Sequence, residues 1–422
     1  MAQITPYHYR AGKKYFPHTV GFVAQCQLIA DSSLRFVINL DQINMSKTQK
    51  ILLAAIVLLA LTVAGFAVYY LYFKKTPTVI QGPGQQQGTT TLPQGNIEII
   101  DSKLKKISAT AAISPTTTAD GKRVVYMGKS GGITELDFTG ENAKETKFVA
   151  LQNLFSVSWN KDRTEFAASY ETSEGRQLRY YKTAATQTAP YALNIKRVAF
   201  SKTENKIAYH AVDASQNANA IFVANADGSN AKSVFSNRLQ DARLAWIGAA
   251  KIAVSTAPSG LAQNLLWLLD TETQKITSVL SNINGLTFLW GPPGNRFIFS
   301  KTTPDGKNLT LYSANTNGAD VKKLDFETLP EKCAFSDNGE TLVCAVPKIT
   351  PDILWPDDYY KKQYDAQEQI WKIDLASGKK DLLYEFAADK NFDVANLVLS
   401  QSEDYLVFTN RKDDYLYSLK LK

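Results

Sequence analysis

Between residues 108 and 408 one pattern recurs seven times: a short apolar strand closed by an aromatic or large aliphatic residue, a polar turn, then a second apolar strand about seven residues on. The closing residues are Ile113, Trp159, Phe200, Trp246, Trp290, Phe335 and Leu399, at spacings of 46, 41, 46, 44, 45 and 64. A unit of this size made only of strands cannot bury its apolar face alone, and a period in the forties is that of a β-propeller rather than of a helical solenoid. The expected fold is therefore all-β, a seven-bladed β-propeller, preceded by a single transmembrane α-helix argued below.

The rest of each repeat agrees. Second strands are expected at 124–126, 166–168, 207–209, 252–254, 297–299, 342–344 and 406–408, and third strands at 133–138, 178–181, 221–223, 265–269, 309–312, 370–373 and 416–419. These runs are rich in β-branched and aromatic residues and are punctuated by turn formers, including Asp120-Gly121, Asp227-Gly228, Asp305-Gly306 and Asn338-Gly339. The chain ends at Lys422, straight after a third strand, so the seventh sheet lacks its outer member. Residues 96–108, with Ile97, Ile99, Ile100, Leu104 and Ile107, read as that missing strand, which would close the ring and remove two open edges.

The stretch 198–230, VAFSKTENKIAYHAVDASQNANAIFVANADGSN, is similar to the repeats of TolB-like and related WD-type bacterial propellers. The shared features are an aromatic-Ser before the first turn and Asn-x-Asp-Gly-Ser-Asn after the third strand. The resemblance implies a periplasmic or extracellular propeller and carries over no catalytic residue.

Ahead of the repeats, residues 51–73 hold Thr62 and the terminal tyrosines as their only polar groups. Twenty-three residues at 1.5 Å each span a hydrocarbon core of about 30 Å. Tyr69, Tyr70 and Tyr72 would sit at the interface, and Lys47, Lys50, Lys74 and Lys75 flank the two ends almost evenly. Residues 45–75 thus read as a signal-anchor, longer than the core of a cleavable signal peptide, which is the competing reading. Residues 76–95 are mostly Thr, Pro, Gly and Gln without charge, a composition expected of a flexible tether to the propeller at 96–422. Residues 1–44 show no period. Met45 opens "MSKTQK" directly before the apolar run, so 1–44 is either a mis-called start or a short cytoplasmic tail. These features place the expected protein in the bacterial cytoplasmic membrane, single-pass, with its propeller outside the cytoplasm.

Charge argues against a nucleic-acid partner. The chain is +7 overall, but residues 1–44 hold four basic and two acidic side chains and residues 45–95 four basic and none acidic, which leaves the propeller with 39 basic against 38 acidic. The basic excess sits around the membrane segment, not on the folded domain.

Cys333 and Cys344 flank the turn 337–340 on adjacent strands, and the register that sets the turn also places them opposite one another. Facing residues in an antiparallel pair are within disulfide range, and a four-residue loop would make this a non-hydrogen-bonded pair, the closer kind, whereas a two-residue Asn338-Gly339 loop would not. Two buried free cysteines are the alternative. A bridge would require an oxidising compartment.

Catalytic motifs are thin. Gly128-Lys129-Ser130-Gly131-Gly132 matches Gly-x-Ser-x-Gly but falls between two strands of one sheet, not at a strand-to-helix elbow, and nothing ties it to His210, the propeller's sole histidine. The same segment lacks the earlier glycine of a phosphate loop. Residues 336–341 approach a sialidase Asp-box, itself a turn device. No catalytic residue, no metal ligand and no cofactor is therefore expected.

One departure from the repeat stands out. Residues 347–369 insert about 20 residues between the second and third strands of the sixth repeat. Trp355, Tyr359, Tyr360 and Tyr364 supply flat apolar area, and Asp357 and Asp358 supply acceptors, so these six form the expected binding set. The other possibility is a lid folded over its own blade with the aromatics inward. Two functions follow: a membrane-tethered binding or scaffolding module for an envelope protein, peptide or glycan, or a propeller glycan hydrolase or lyase with carboxylates converging on the channel.

Overall fold

The computed structural model describes residues 97–422 apart from 148–150, 152, 174, 184–187, 193 and 213–218, together with Thr89–Thr91 and positions 46 and 48. Among these residues no helix is long and apolar enough to cross a membrane. The segment 51–73 lies outside them, as does nearly all of 1–88.

Seven antiparallel sheets follow one another along the chain, each with its strands in simple up-and-down order. Their inner strands are Ala112–Thr117, Leu154–Trp159, Ile195–Phe200, Ala242–Trp246, Phe288–Trp290, Cys333–Phe335 and Val394–Leu399. The strand of the seventh blade packs against that of the first, so the ring closes. Second strands are packed on both faces by neighbouring blades: all five residues of Val124–Gly128 and all seven of Thr341–Pro347 are buried. That is why they read as unbroken apolar runs rather than alternating ones. Outer strands face solvent: no residue of Lys322–Lys323 or of Lys380–Glu385 is buried.

Among the described residues seven apolar clusters fill the blade interfaces, one to each, and an eighth lies at the sixth-blade insertion. Met127 meets Leu154 and Phe166 between blades one and two, and Val398, Val407 and Leu416 meet Val124, Tyr126 and Leu136 between blades seven and one. In the fifth blade Trp290 stacks on Phe297 with ring centroids 4.3 Å apart.

The closing strand is supplied from the N-terminal side. Leu104–Lys106 pairs with Leu416–Lys420, Leu104 facing Leu419, and Glu98–Ile99 adds a fifth strand outside it. Ser108 Oγ accepts from Leu416 N at 2.9 Å and Ser418 Oγ donates to Phe138 O at 2.5 Å, which ties the seventh blade to the first.

Two details depart from the sequence reading. Ile113 does not close the first inner strand. A bulge between Ile113 and Thr116, with Ser114 at φ 49°, carries the strand on to Thr117, which faces Val124 as Trp159 faces Phe166. Pro115 cannot donate to a ladder, and a bulge is where a strand tolerates it. Thr89–Thr91, inside the tract expected to be a free tether, pairs with Lys144–Lys147 at the outer edge of the first blade. Edge pairing uses backbone groups, so it needs no apolar side chains.

Candidate functional site at the inner-strand ends

In each blade the loops joining second to third strands share a face with the loops entering the next inner strand. The 20-residue insertion, bounded by Thr341–Pro347 and Glu368–Asp374, stands on this face. It takes the folded-over form. Trp355, Tyr359 and Tyr364 are 1%, 4% and 5% exposed and pack with Leu309 and Leu329 in a cluster of their own. As placed, these three are core and present no surface to a partner. Tyr360, at the end of the short helix Asp357–Tyr360, is 42% exposed. Asp357 Oδ2 accepts from Gly260 N of the fourth blade at 2.8 Å, and Asp358 Oδ2 accepts from Leu354 N at 2.9 Å, so both carboxylates brace the segment. The hydrogen bond from Leu354, with help from Lys361, holds the Asp358 carboxyl below its usual value.

Beneath the segment lies a buried ionic network. Lys332 Nζ meets Asp393 Oδ1 at 2.7 Å, Glu368 Oε1 at 2.9 Å and Val394 O at 2.7 Å. Tyr364 donates to Glu368 Oε1 at 2.5 Å, Val394 N donates to Glu368 Oε2 at 2.8 Å, and the Arg411 guanidinium lies 4.0 Å over the Tyr359 ring and 3.2 Å from Asp393 Oδ2. Burial alone would lower the lysine, but Glu368, then Tyr359 and Asp393, outweigh it and hold Lys332 above the ordinary value. Burial pushes the Tyr359 hydroxyl up to about 12.

Next to this network a cavity of about 380 Å³ opens between blades four, five and six, lined by Arg243, Ser255, Thr287, Phe288, Glu331 and Tyr360 among others. Glu331 is fixed from two sides. Tyr360 donates to its Oε1 at 2.5 Å and Thr287 to its Oε2 at 3.0 Å. Ser300 orients the threonine: its one hydrogen goes to Gly285 O at 2.6 Å, so it accepts from Thr287 N and leaves the Thr287 hydroxyl for Glu331. Although the side chain as a whole is 42% exposed, the crowding of protein around its hydroxyl, and then the Glu331 charge it meets, raise that hydroxyl well above its normal value.

Arg197 forks onto Asp241 at 3.0 and 3.2 Å, but Arg243 has no carboxylate within ion-pair distance among the described residues. Its Nε is buried without a hydrogen-bond partner, and its guanidinium carbon stands 5.8 Å from the Tyr360 ring centre. Burial, then the nearby Arg197, pulls its pKa down, yet a guanidinium keeps its charge in proteins.

The insertion was evident in the sequence as a break in the period; the cavity was not. A signal for it exists. The residue three places before the last of each inner strand is polar in every blade: Ser114, Ser156, Arg197, Arg243, Thr287, Lys332 and Asn396.

The remaining sequence features resolve simply. Cys333 and Cys344 are bridged, facing each other with Cα atoms 4.0 Å apart around the loop 337–340. His210 is fully buried, which lowers its pKa, while Ser130 is exposed in a turn of another blade. No group of three His, Cys, Asp or Glu side chains among the described residues could share a metal ion. A larger hollow of about 570 Å³ opens on the opposite face between blades four and five, but its carboxylate, Asp270, is engaged by Thr273 in its own turn.

The fold and this face define a seven-bladed propeller with a built-up loop surface. The sequence matches no protein-family model and no curated protein. Solved structures share the fold. An oligogalacturonate lyase from Vibrio parahaemolyticus is 11% identical over 80% of this chain and 99% of its own, with a TM-score of 0.59. The propeller domain of the trilobed protease from Pyrococcus furiosus, described as having an open velcro topology, is 11% identical over 74% of this chain and 96% of its own, with a TM-score of 0.50. TolB from Acinetobacter baumannii, 13% identical over 70% of this chain and 78% of its own, has a TM-score of 0.39. For the first two, at these identities, the likeness is one of fold.

Proposed function

We propose that this chain is a binding module held at the bacterial cytoplasmic membrane by residues 51–73, with its propeller outside the cytoplasm, and that it holds an envelope protein, peptide or glycan on the face built up by the sixth-blade insertion. The observation that carries the reading is the use of the one non-repeat element: buried aromatics and a buried ionic network make it a rigid wall, and that wall presents Tyr360 and Glu331 to a cavity beside the inner strands. The Cys333–Cys344 bridge suits an oxidising compartment, and the nearly neutral propeller suits a partner other than nucleic acid. A photoreactive residue at position 360 of the full chain, activated in intact cells, should yield a discrete crosslinked product. The same residue at Thr273, on the opposite face, should yield none. Equal products from both positions, or none from 360, would sink the reading.

A glycan-cleaving enzyme is the second reading, favoured by the fold shared with an oligogalacturonate lyase. Among the described residues that line the cavity, Glu331 is the carboxylate that such chemistry would have. Shortening of an acidic oligosaccharide by the full chain, lost in Glu331→Gln, would establish it over simple binding.

A further inference from the structure

We infer that the cavity is a carboxylate-binding subsite in which Arg243 is the anion-binding group and Glu331 accepts a hydrogen from the neighbouring hydroxyl or ammonium of the same ligand. This deepens the binding reading above and rests on it. Two observations and the geometry of the guanidinium group converge. Arg243, the second residue of the inner strand Ala242–Trp246, makes no ion pair within 4 Å among the described residues and feels Asp241 and Glu331 only from farther off, while the neighbouring Arg197 is matched by Asp241. The Arg243 Nε is a buried donor with nothing to donate to, in a site that otherwise satisfies its polar groups through Tyr360, Thr287 and Ser300. A guanidinium lacking one partner is matched by a planar carboxylate, which takes two parallel hydrogen bonds from it.

Glu331 sets the second requirement. Each of its oxygens takes one hydrogen bond from the protein, from Tyr360 and from Thr287, and a carboxylate has acceptor capacity beyond two bonds. It therefore repels a bare dianion and accepts a ligand that carries a donor beside its carboxylate, as a hydroxy acid, an amino acid or a uronic acid does. The buried Leu286, together with Phe288 and the half-exposed Tyr360 ring, gives the apolar surface against which a sugar ring or a short side chain would rest.

The test is calorimetric titration of the full chain in detergent with lactate, glutamate and glucuronate, against lactamide, the diamide of glutamate and glucose as their counterparts without a carboxylate. At least one acid should bind and its counterpart should not. Arg243→Gln should weaken that binding at least about tenfold, while Arg243→Lys, which keeps the charge and loses the fork, should fall between. Preference for glucuronate or for glutamate tells a glycan source from a peptide source. No binding of any acid up to about 20 mM overturns the assignment, as does equal binding by Arg243→Gln with an unchanged tryptophan spectrum. If position 360 still crosslinks a partner while no acid binds, the carboxylate assignment fails alone. If neither occurs, the binding reading fails with it.

Discussion

Lys332 offers the sharpest test of how the functional face is held. Its ammonium is 1% exposed and serves Glu368, which is fully buried, and Asp393. In Lys332→Met, Asp393 keeps Arg411 opposite it, but Glu368 keeps only neutral donors, Tyr364 and Val394 N. Removing one partner of a buried pair strands the other charge and costs about 3–5 kcal/mol. The pH dependence follows from Glu368. Burial already raises its pKa above 4.5, with Lys332 the largest opposing influence, so the variant raises it further. A carboxyl whose folded pKa exceeds its unfolded one takes up protons on folding, so stability falls as pH climbs from the unfolded value to the folded one and is level beyond. The deficit should therefore be greatest above neutrality and shrink as the medium is acidified toward pH 4.5. Equilibrium urea unfolding of the full chain in detergent at several pH values measures it, and adding Glu368→Gln to the variant should recover part of the loss at pH 8. A deficit independent of pH, or below about 1 kcal/mol, would refute the argument that an uncompensated carboxylate is its source.

Thiol labelling of the unfolded chain should find one reactive cysteine, Cys26, without reductant and all three after reduction, and replacing both Cys333 and Cys344 by Ala should cost about 2–3 kcal/mol in urea unfolding for a loop this short. Gly260→Ala should loosen the sixth-blade insertion, because the added Cβ would stand 2.2 Å from Trp355 O and 2.7 Å from Gly306 Cα; faster proteolysis within 348–367, with the other blades intact, is the expected readout. Leu104→Ala should cost about 2–5 kcal/mol, since this side chain is 1% exposed and packs with Leu406, Phe408 and Leu419, so that a thermal midpoint unchanged from the parent would mean the closing strand does not hold the ring.

What repeats is legible in a single sequence, and what is assembled across repeats is not. The second strands were readable because burial on both faces forces an apolar run, and the Cys333–Cys344 bridge because its turn fixes its register. Thr117 was missed in favour of Ile113, since a bulge changes the count of residues without changing their polarity. Thr89–Thr91 was missed because an edge strand made of threonines is held by backbone groups that composition does not reveal. The cavity was missed for a different reason. Arg243, Thr287 and Glu331 are separated by 44 residues at each step, so no local motif joins them; aligning the strand ends brings Arg243 and Thr287 to one shared polar place, but in the sixth blade that place is Lys332 and Glu331 stands one residue before it. The aromatics of the insertion are as apolar whether they face a partner or their own blade, and only the buried partners of Lys332 decide between the two.

Two adjacent pairs join the ionic network to the cavity. In the turn Pro330–Lys332, Lys332 enters the network while Glu331 lines the cavity; in the helix Asp357–Tyr360, Tyr359 lies under Arg411 while Tyr360 holds Glu331. One peptide unit separates the buried group from the presented one in each pair, so neither Glu331 nor Tyr360 can keep its place if the network relaxes. Side chains held by locked neighbours bind better because less ordering is left to the ligand. Lys332→Met should therefore weaken carboxylate binding at Arg243 although no atom of Lys332 lines the cavity, and Leu104→Ala, which loosens the ring at the seventh blade, should not. Equal losses from the two variants would mean that global stability, and not this pair of short links, governs the site.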